Sequence, residues 1–262
     1  VNLKEADLTL AIEIRENWSF VYCYRYLGPG GLPSGTAEPG LSLLSGGIDS
    51  PVASYMAMKR GMRLDYLTFD SFPYTPEEAV DKVAKLTMIL NEYQKYGRLF
   101  VCNLSEAQKI IRDQFANSYR TIYYRRLMMR VASAIASRIK AQALVTGEAI
   151  GQVASQTIPN LTAINGCAEQ VVIRPLICMD KEEVIAIARC IGTMDISKVP
   201  CADSCTVFAP REAATSVKMD RILRDEGLVN MDDLVNMSLD ATYFLDLETK
   251  EQIPWTEAPR RN

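Results

Sequence analysis

Two stretches of the chain carry residue types whose order suggests joint chemistry. In the first, Leu41-Ser42-Leu43-Leu44-Ser45-Gly46-Gly47-Ile48-Asp49-Ser50, an apolar run meets paired glycines and passes into Pro51 to Met58, which reads as a helix. A strand, a glycine turn and a helix start together aim unpaired backbone N–H groups at an anion. Gly46 and Gly47 lack the Cβ that would keep phosphate oxygens at a distance. Ser45 and Ser50 add hydroxyl donors, and Asp49 is suited to orient a metal ion or a reacting group. No Gly-Lys-Ser/Thr ending follows, so the turn brings no lysine of its own to a terminal phosphate. The second stretch, Val199-Pro200-Cys201-Ala202-Asp203-Ser204-Cys205, is a proline-led loop with two thiols four residues apart. Three readings of it stand. The thiols are two ligands of a metal site completed by Cys167 or Cys178, or two structural thiols, or a sulfur-carrying pair. In the last case one thiolate holds a persulfide and the other releases it as a disulfide.

Further candidates lie between these stretches. Thr146-Gly147-Glu148 leads into Gly151-Gln152-Val153-Ala154-Ser155-Gln156-Thr157, where Gly147 permits close backbone approach to a nucleotide. Gln152 and Gln156 would share one face if that segment were helical. Arg120, Arg125, Arg126, Arg130, Arg138 and Lys140 form a basic run that reads either as a solvated helix face or as a nucleic-acid contact. Arg125 is the member best suited to neutralise charge on an α-phosphate. Histidine is absent from all 262 residues. That removes Ser-His-Asp triads, Cys-His dyads and most zinc sites, leaving Asp, Glu, Lys and Cys for proton and sulfur chemistry. Cys23, Cys102 and Cys190 sit in predicted strands or helices and read as buried small hydrophobes.

The elements that must position these residues alternate strand with helix. Strands are expected at 41–44, 64–69, 98–102, 143–146 and 171–173, and helices at 51–58, from Thr75-Pro76-Glu77-Glu78 onward, at 105–116 and 119–140, and at 181–191 behind the N-cap Asp180. This order implies an α/β fold with a doubly wound, mainly parallel sheet and ligands at the C-terminal strand ends. Residues 1–26 alternate as a two-stranded hairpin, and 27–40, rich in Gly and Pro, read as a linker. The main domain is expected over 41–210, and 211–262 as a helical extension. The 48% hydrophobic and 23% charged composition is that of an ordinary globular chain, and the net charge of −3 announces no nucleic acid. Seven scattered cysteines favour reduced thiols and a cytoplasmic setting over a disulfide framework. No apolar run has membrane-spanning length.

The Ser-Gly-Gly-x-Asp-Ser pattern resembles the pyrophosphate loop of ATP-pyrophosphatases, in the adenine-nucleotide alpha hydrolase type of fold. Taken with Glu13-Ile14-Arg15, Gly28-Pro29-Gly30-Gly31-Leu32-Pro33, Phe72-Pro73-Tyr74-Thr75, Arg125-Arg126, the segment 146–157, Arg174-Pro175-Leu176-Ile177 and Asp180-Lys181-Glu182-Glu183, it gives the chain a resemblance to tRNA uracil 4-sulfurtransferases over nearly its whole length. The resemblance implies ATP contacts at Leu43, Leu44, Thr68, Phe69, Arg125, Gly147 and Gln156 beside the loop residues Ser45, Gly46, Gly47, Asp49 and Ser50. It implies Mg²⁺ with the phosphates, adenylation of a tRNA uridine at O4, and a persulfide on Cys205, with Cys201 resolving. The implied partners are tRNA and a cysteine desulfurase, with a thiamine sulfur-carrier protein and a homodimer as further expectations. Family members begin with a ferredoxin-like and a THUMP region, of which residues 1–26 match the final hairpin. Ser204 stands where short members often carry a second cysteine, and no rhodanese-like domain is expected after 210. Two rival readings keep the fold: an amidating or 2-thiolating ATP-pyrophosphatase, and a nucleotide-binding scaffold without catalysis.

Overall fold

The computed structural model describes residues 4–202, 204, 207–210 and 212–259. The chain divides into two units, residues 1–31 and 32–262. In the first, β1 (Ala11–Ile14) pairs antiparallel with β2 (Ser19–Tyr22), each shorter than the alternation suggests.

The second unit opens with a segment the sequence reading assigns to a linker. Leu32 already bridges to Arg60, and Gly40 begins a strand. The order is then β3 (Gly40–Leu43), α1 (Asp49–Lys59), β4 (Leu64–Asp70), α2 (Glu78–Leu90), β5 (Leu99–Asn103), α3 (Ser105–Gln114), α4 (Arg120–Ile139), β6 (Ala143–Val145), α5 (Ile158–Asn165), β7 (Val171–Ile173), α6 (Lys181–Cys190), α7 (Met194–Ser197), α8 (Met219–Glu226), α9 (Met231–Asp240), β8 (Thr242–Leu245) and β9 (Gln252–Pro254). One sheet runs β7-β6-β3-β4-β5-β8-β9, parallel from β7 to β5 and antiparallel at β8 and β9. The expected doubly wound, mainly parallel sheet is therefore observed.

Successive strand residues face opposite layers, which divides the core in two. Leu41, Leu67 and Phe100 pack with α3, α4 and α9, while Tyr66, Leu99, Val101 and Val145 pack with α1, α2 and α6. Because both faces are covered, the central strands are apolar almost throughout. The buried Asp65 of β4 takes two bonds from the Arg98 guanidinium, at 2.5 and 3.2 Å.

Three expectations are corrected. The helix after Thr75 starts only at Glu78, because the Thr75 hydroxyl instead donates to Asp70 at 2.6 Å and accepts the Ser71 N–H. Segment 212–218 is not helical, and 211–262 is only in part a helical extension: beside α8 and α9 it holds β8 and β9, which complete the main sheet against β5. The basic run of α4 is spent inside the fold only in part, since Arg138 and Lys140 are exposed. Arg126 and Arg130 each form two bonds of 2.7–2.9 Å to Glu226 of α8, and Arg138 stacks on Trp255. The N-cap expected at Asp180 is observed, within a capping box in which the Glu183 carboxylate accepts the Asp180 N–H.

Burial alone would raise the Glu226 pKa; its bonds to Arg126 and Arg130 outweigh that and hold it at about 2. Since the folded pKa lies below the ordinary carboxylate value of 4.5, this stabilisation is complete above pH 4.5 and is lost as pH falls toward 2. Glu226→Gln should cost about 3 kcal/mol or more in urea unfolding at pH 7, because it strands two guanidinium groups. The difference from the parent should shrink below pH 4.5. An equal deficit at pH 7 and pH 3 would contradict this account.

Candidate active site

The chain leaves β3 for β4 and β5 on one side and later returns to β6 on the other. A crevice is therefore forced at the C-terminal ends of β3 and β6. A cavity of about 700 Å³ opens there.

Its floor is the turn 45–48 between β3 and α1. The two serines knit this turn together: Ser50 Oγ accepts the Ser45 N–H at 2.8 Å and donates to the Ser45 carbonyl at 3.2 Å. Their hydroxyls thus shape the turn before they serve any ligand. Gly47 N–H bonds the Ser45 hydroxyl at 3.3 Å. Asp49 sits at the helix start, where Lys181 Nζ meets one carboxylate oxygen at 2.5 Å and Gln152 Nε2 donates to the other at 2.8 Å.

The wall from β6 presses on this turn. A Cβ on Gly147 would lie 2.6 Å from Ser50 N and 2.7 Å from the Asp49 carbonyl carbon, so only glycine fits. Next to it, Glu148 is buried between two guanidinium groups. Arg125 Nη2 forms an ion pair with Oε1 at 2.8 Å, while Arg174 Nε and the Thr146 hydroxyl bond Oε2 at 2.7 and 2.9 Å. Burial opposes ionisation of Glu148, and Arg125 and Arg174 outweigh it, keeping its pKa below the ordinary value. Arg125 Nη1 also donates to Ser155 at 2.9 Å, which fixes the guanidinium on the cavity wall. The segment after Gly151 is a turn and one 3₁₀ turn (Ala154–Gln156), so Gln152 and Gln156 do not share a helix face. Gln152 reaches Asp49, whereas Gln156 lines the cavity with a buried Oε1 that has no hydrogen-bond partner among the described residues.

All twelve residues expected to contact nucleotide line this one cavity: Leu43 at the end of β3 and Leu44 after it, the five loop residues, Thr68 and Phe69 from β4, Arg125 from α4, Gly147 after β6, and Gln156. Cys201 lines it too, as a half-buried free thiol. Cys205 lies outside the described residues. Its neighbour Ser204 is buried, bonded to the Ser71 hydroxyl, and its carbonyl accepts from Gln108 Nε2 at 2.9 Å. The other thiols divide differently from the sequence reading. Cys102 is buried, which pushes its pKa up to about 12, but Cys23 and Cys190 are exposed. Among the described residues, no three His, Cys, Asp or Glu side chains are grouped to hold a metal ion. Glu148, Arg174 and Lys181 stand within the sequence motifs but without an assigned role there, and Lys82 carries no signal in the sequence.

A glycine turn knit by serines at the switch point of a doubly wound sheet, facing a buried Arg–Glu–Arg cluster, defines an α/β protein of the adenine-nucleotide alpha hydrolase type. Residues 35–231 match the family model described as "Thiamine biosynthesis protein (ThiI)". The chain belongs to the ThiI family. It is 42% identical over 250 residues to a probable tRNA sulfurtransferase of Halothermothrix orenii, covering 95% of this chain and 63% of that protein. To the probable tRNA sulfurtransferase of Geobacillus kaustophilus it is 40% identical over 248 residues, covering 95% and 62%. The crystal structure of a 4-thiouridine synthetase–RNA complex with bound ATP superposes with a TM-score of 0.87 at 38% identity, over 96% of this chain and 64% of that one. The chain thus spans a little under two thirds of these relatives.

Gly147→Ala should destabilise the fold by about 1–3 kcal/mol, because its Cβ meets backbone atoms that cannot rotate away. Urea unfolding of the variant measures this, and an unchanged midpoint would show that the loop and helix α1 can separate freely.

Proposed function

We propose that this chain is the ATP-dependent catalytic part of a tRNA sulfurtransferase that converts a uridine to 4-thiouridine. The observation that carries the reading is the convergence of all twelve nucleotide-contact candidates and Cys201 on one cavity. The relatives named tRNA sulfurtransferase and the ATP- and RNA-bound synthetase support it.

The residues present suit ATP. The turn 45–48 offers N–H groups at a helix start to the phosphates, Arg125 supplies fixed positive charge, and the unpaired Gln156 Oε1 can accept from the exocyclic amine of adenine. Asp49, now paired with Lys181, would be the carboxylate that holds Mg²⁺. Bound there, the ion would neutralise charge across the phosphates. The uridine O4 attacks the α-phosphate of ATP and pyrophosphate leaves, giving an adenylate from which AMP can depart. Arg125 offsets the charge that develops on the α-phosphate as this happens.

The outer sulfur of a persulfide on Cys205 then attacks the activated carbon and AMP leaves. Cys201 attacks the Cys205 sulfur, which forms the disulfide and releases the thiolated uridine. A thiol reductant reopens the disulfide, a cysteine desulfurase recharges Cys205, and a thiamine sulfur-carrier protein is a second acceptor. The substrate and the donor place the protein in the cytoplasm. Homodimerisation would let a second copy hold the tRNA.

Cys205→Ser should abolish thiolation of tRNA while leaving ATP affinity unchanged, and Cys201→Ser should leave the thiolated uridine held on Cys205 as a mixed disulfide that only an added thiol releases. After incubation with a desulfurase and cysteine, peptide mapping should find an adduct of about 32 Da, one sulfur atom, on Cys205. Continued thiolation by the Cys205→Ser variant would overturn its role. Activity indifferent to both cysteines would favour an amidating enzyme.

A further inference from the structure

The glycine turn carries no lysine of its own, yet one reaches it in space. Lys82 projects from α2 along Gly46, so that a Cβ built on Gly46 would lie 3.1 Å from Lys82 Cδ and 3.5 Å from its Nζ. The same ammonium donates to the carbonyls of Ser197 at 2.9 Å and Val199 at 2.6 Å, just ahead of Pro200 and Cys201. Ser197 closes the circuit: its hydroxyl donates to the Gly47 carbonyl at 3.3 Å. Lys82, Gly46, Gly47, Ser197 and Cys201 all line the cavity. Burial pulls the Lys82 pKa below the ordinary lysine value, and Cys201 acts in the opposite sense. An ammonium has three N–H donors; the two carbonyls use two of them.

We propose that Lys82 serves as the cation of the phosphate-binding turn and, through the same ammonium, tethers the Cys201 segment against that turn. The first half rests on the nucleotide reading above; the second rests on the carbonyl bonds alone. Lysine suits both tasks, because a point charge with rotatable donors can bond two carbonyls and still turn one N–H toward a phosphate oxygen. The arrangement places one residue between the two reactive halves of the site. Phosphates held at Gly46 and the thiol of Cys201 would then keep a fixed spacing, as sulfur transfer to an activated base requires.

The test uses the full chain carrying Lys82→Met, which keeps the length and loses the charge, and Lys82→Arg, which keeps charge and donors. ATP affinity is read by calorimetry, and the rate of iodoacetamide alkylation at Cys201 is read without nucleotide by peptide mapping. Lys82→Met should weaken ATP by about ten- to a hundred-fold, the worth of a charge-assisted hydrogen bond. It should also raise the Cys201 alkylation rate several-fold, while Lys82→Arg stays close to the parent in both. Should the Met variant not fold, Lys82→Gln replaces it with the same expectations. A variant without the charge that binds ATP like the parent overturns the phosphate role, and one that alkylates like the parent overturns the tether. If the parent chain itself fails to bind ATP, the nucleotide reading and the phosphate role fall together, and alkylation alone decides the tether.

Discussion

The carboxylate of Glu148 is the point on which the functional edge of the sheet depends. It is almost fully buried, and it joins Arg125 of α4 to Arg174, the residue after β7, with Thr146 as a further donor. A buried carboxylate is costly unless it is paired, and two guanidinium groups brought this close would repel each other without it. Arg125 is therefore presented to the cavity at a fixed position because Glu148 holds one side of it and Ser155 the other. The β6 loop, for its part, comes near the turn only because Gly147 has no side chain to meet Asp49 and Ser50.

Around this anchor the site is assembled from pieces distant in sequence. The turn follows β3, Arg125 comes from the middle of α4, and Gln152 and Lys181 converge on Asp49 from a loop and the start of α6. The cysteine segment arrives last, held at Ser197 and Val199 by α2 and at Ser204 by Ser71 and Gln108. Each attachment is polar and short-range. The sheet supplies the framework, and these bonds supply the placement.

Much of this was legible in the sequence, for physical reasons that differ from place to place. Buried parallel strands announce themselves as apolar runs, and the glycine turn is marked by residues chosen for backbone approach. Alternation also revealed β1 and β2, though their ends fray short of the pattern. Asp180 and Glu183 mark a helix start because capping is local chemistry. What stayed hidden is what depends on partners far along the chain. Nothing local distinguishes Arg126, spent on Glu226, from Arg125, which faces the cavity. Thr75 looks like a helix cap until Asp70 claims its hydroxyl. Lys82 is one of two lysines on an amphipathic helix, and its neighbours at 197 and 199 are more than a hundred positions away.

The least legible element carries a practical consequence. The family match ends at residue 231, but the sheet does not. Strand β8 lies along β5 from Thr242 to Leu245, and Phe244 packs near Phe100 in the core. A chain shortened to the family boundary would leave the β5 backbone as a bare edge with an uncovered aromatic beside it, a template for self-association. Solubility, more than catalysis, would be the first property such a shortened chain lost.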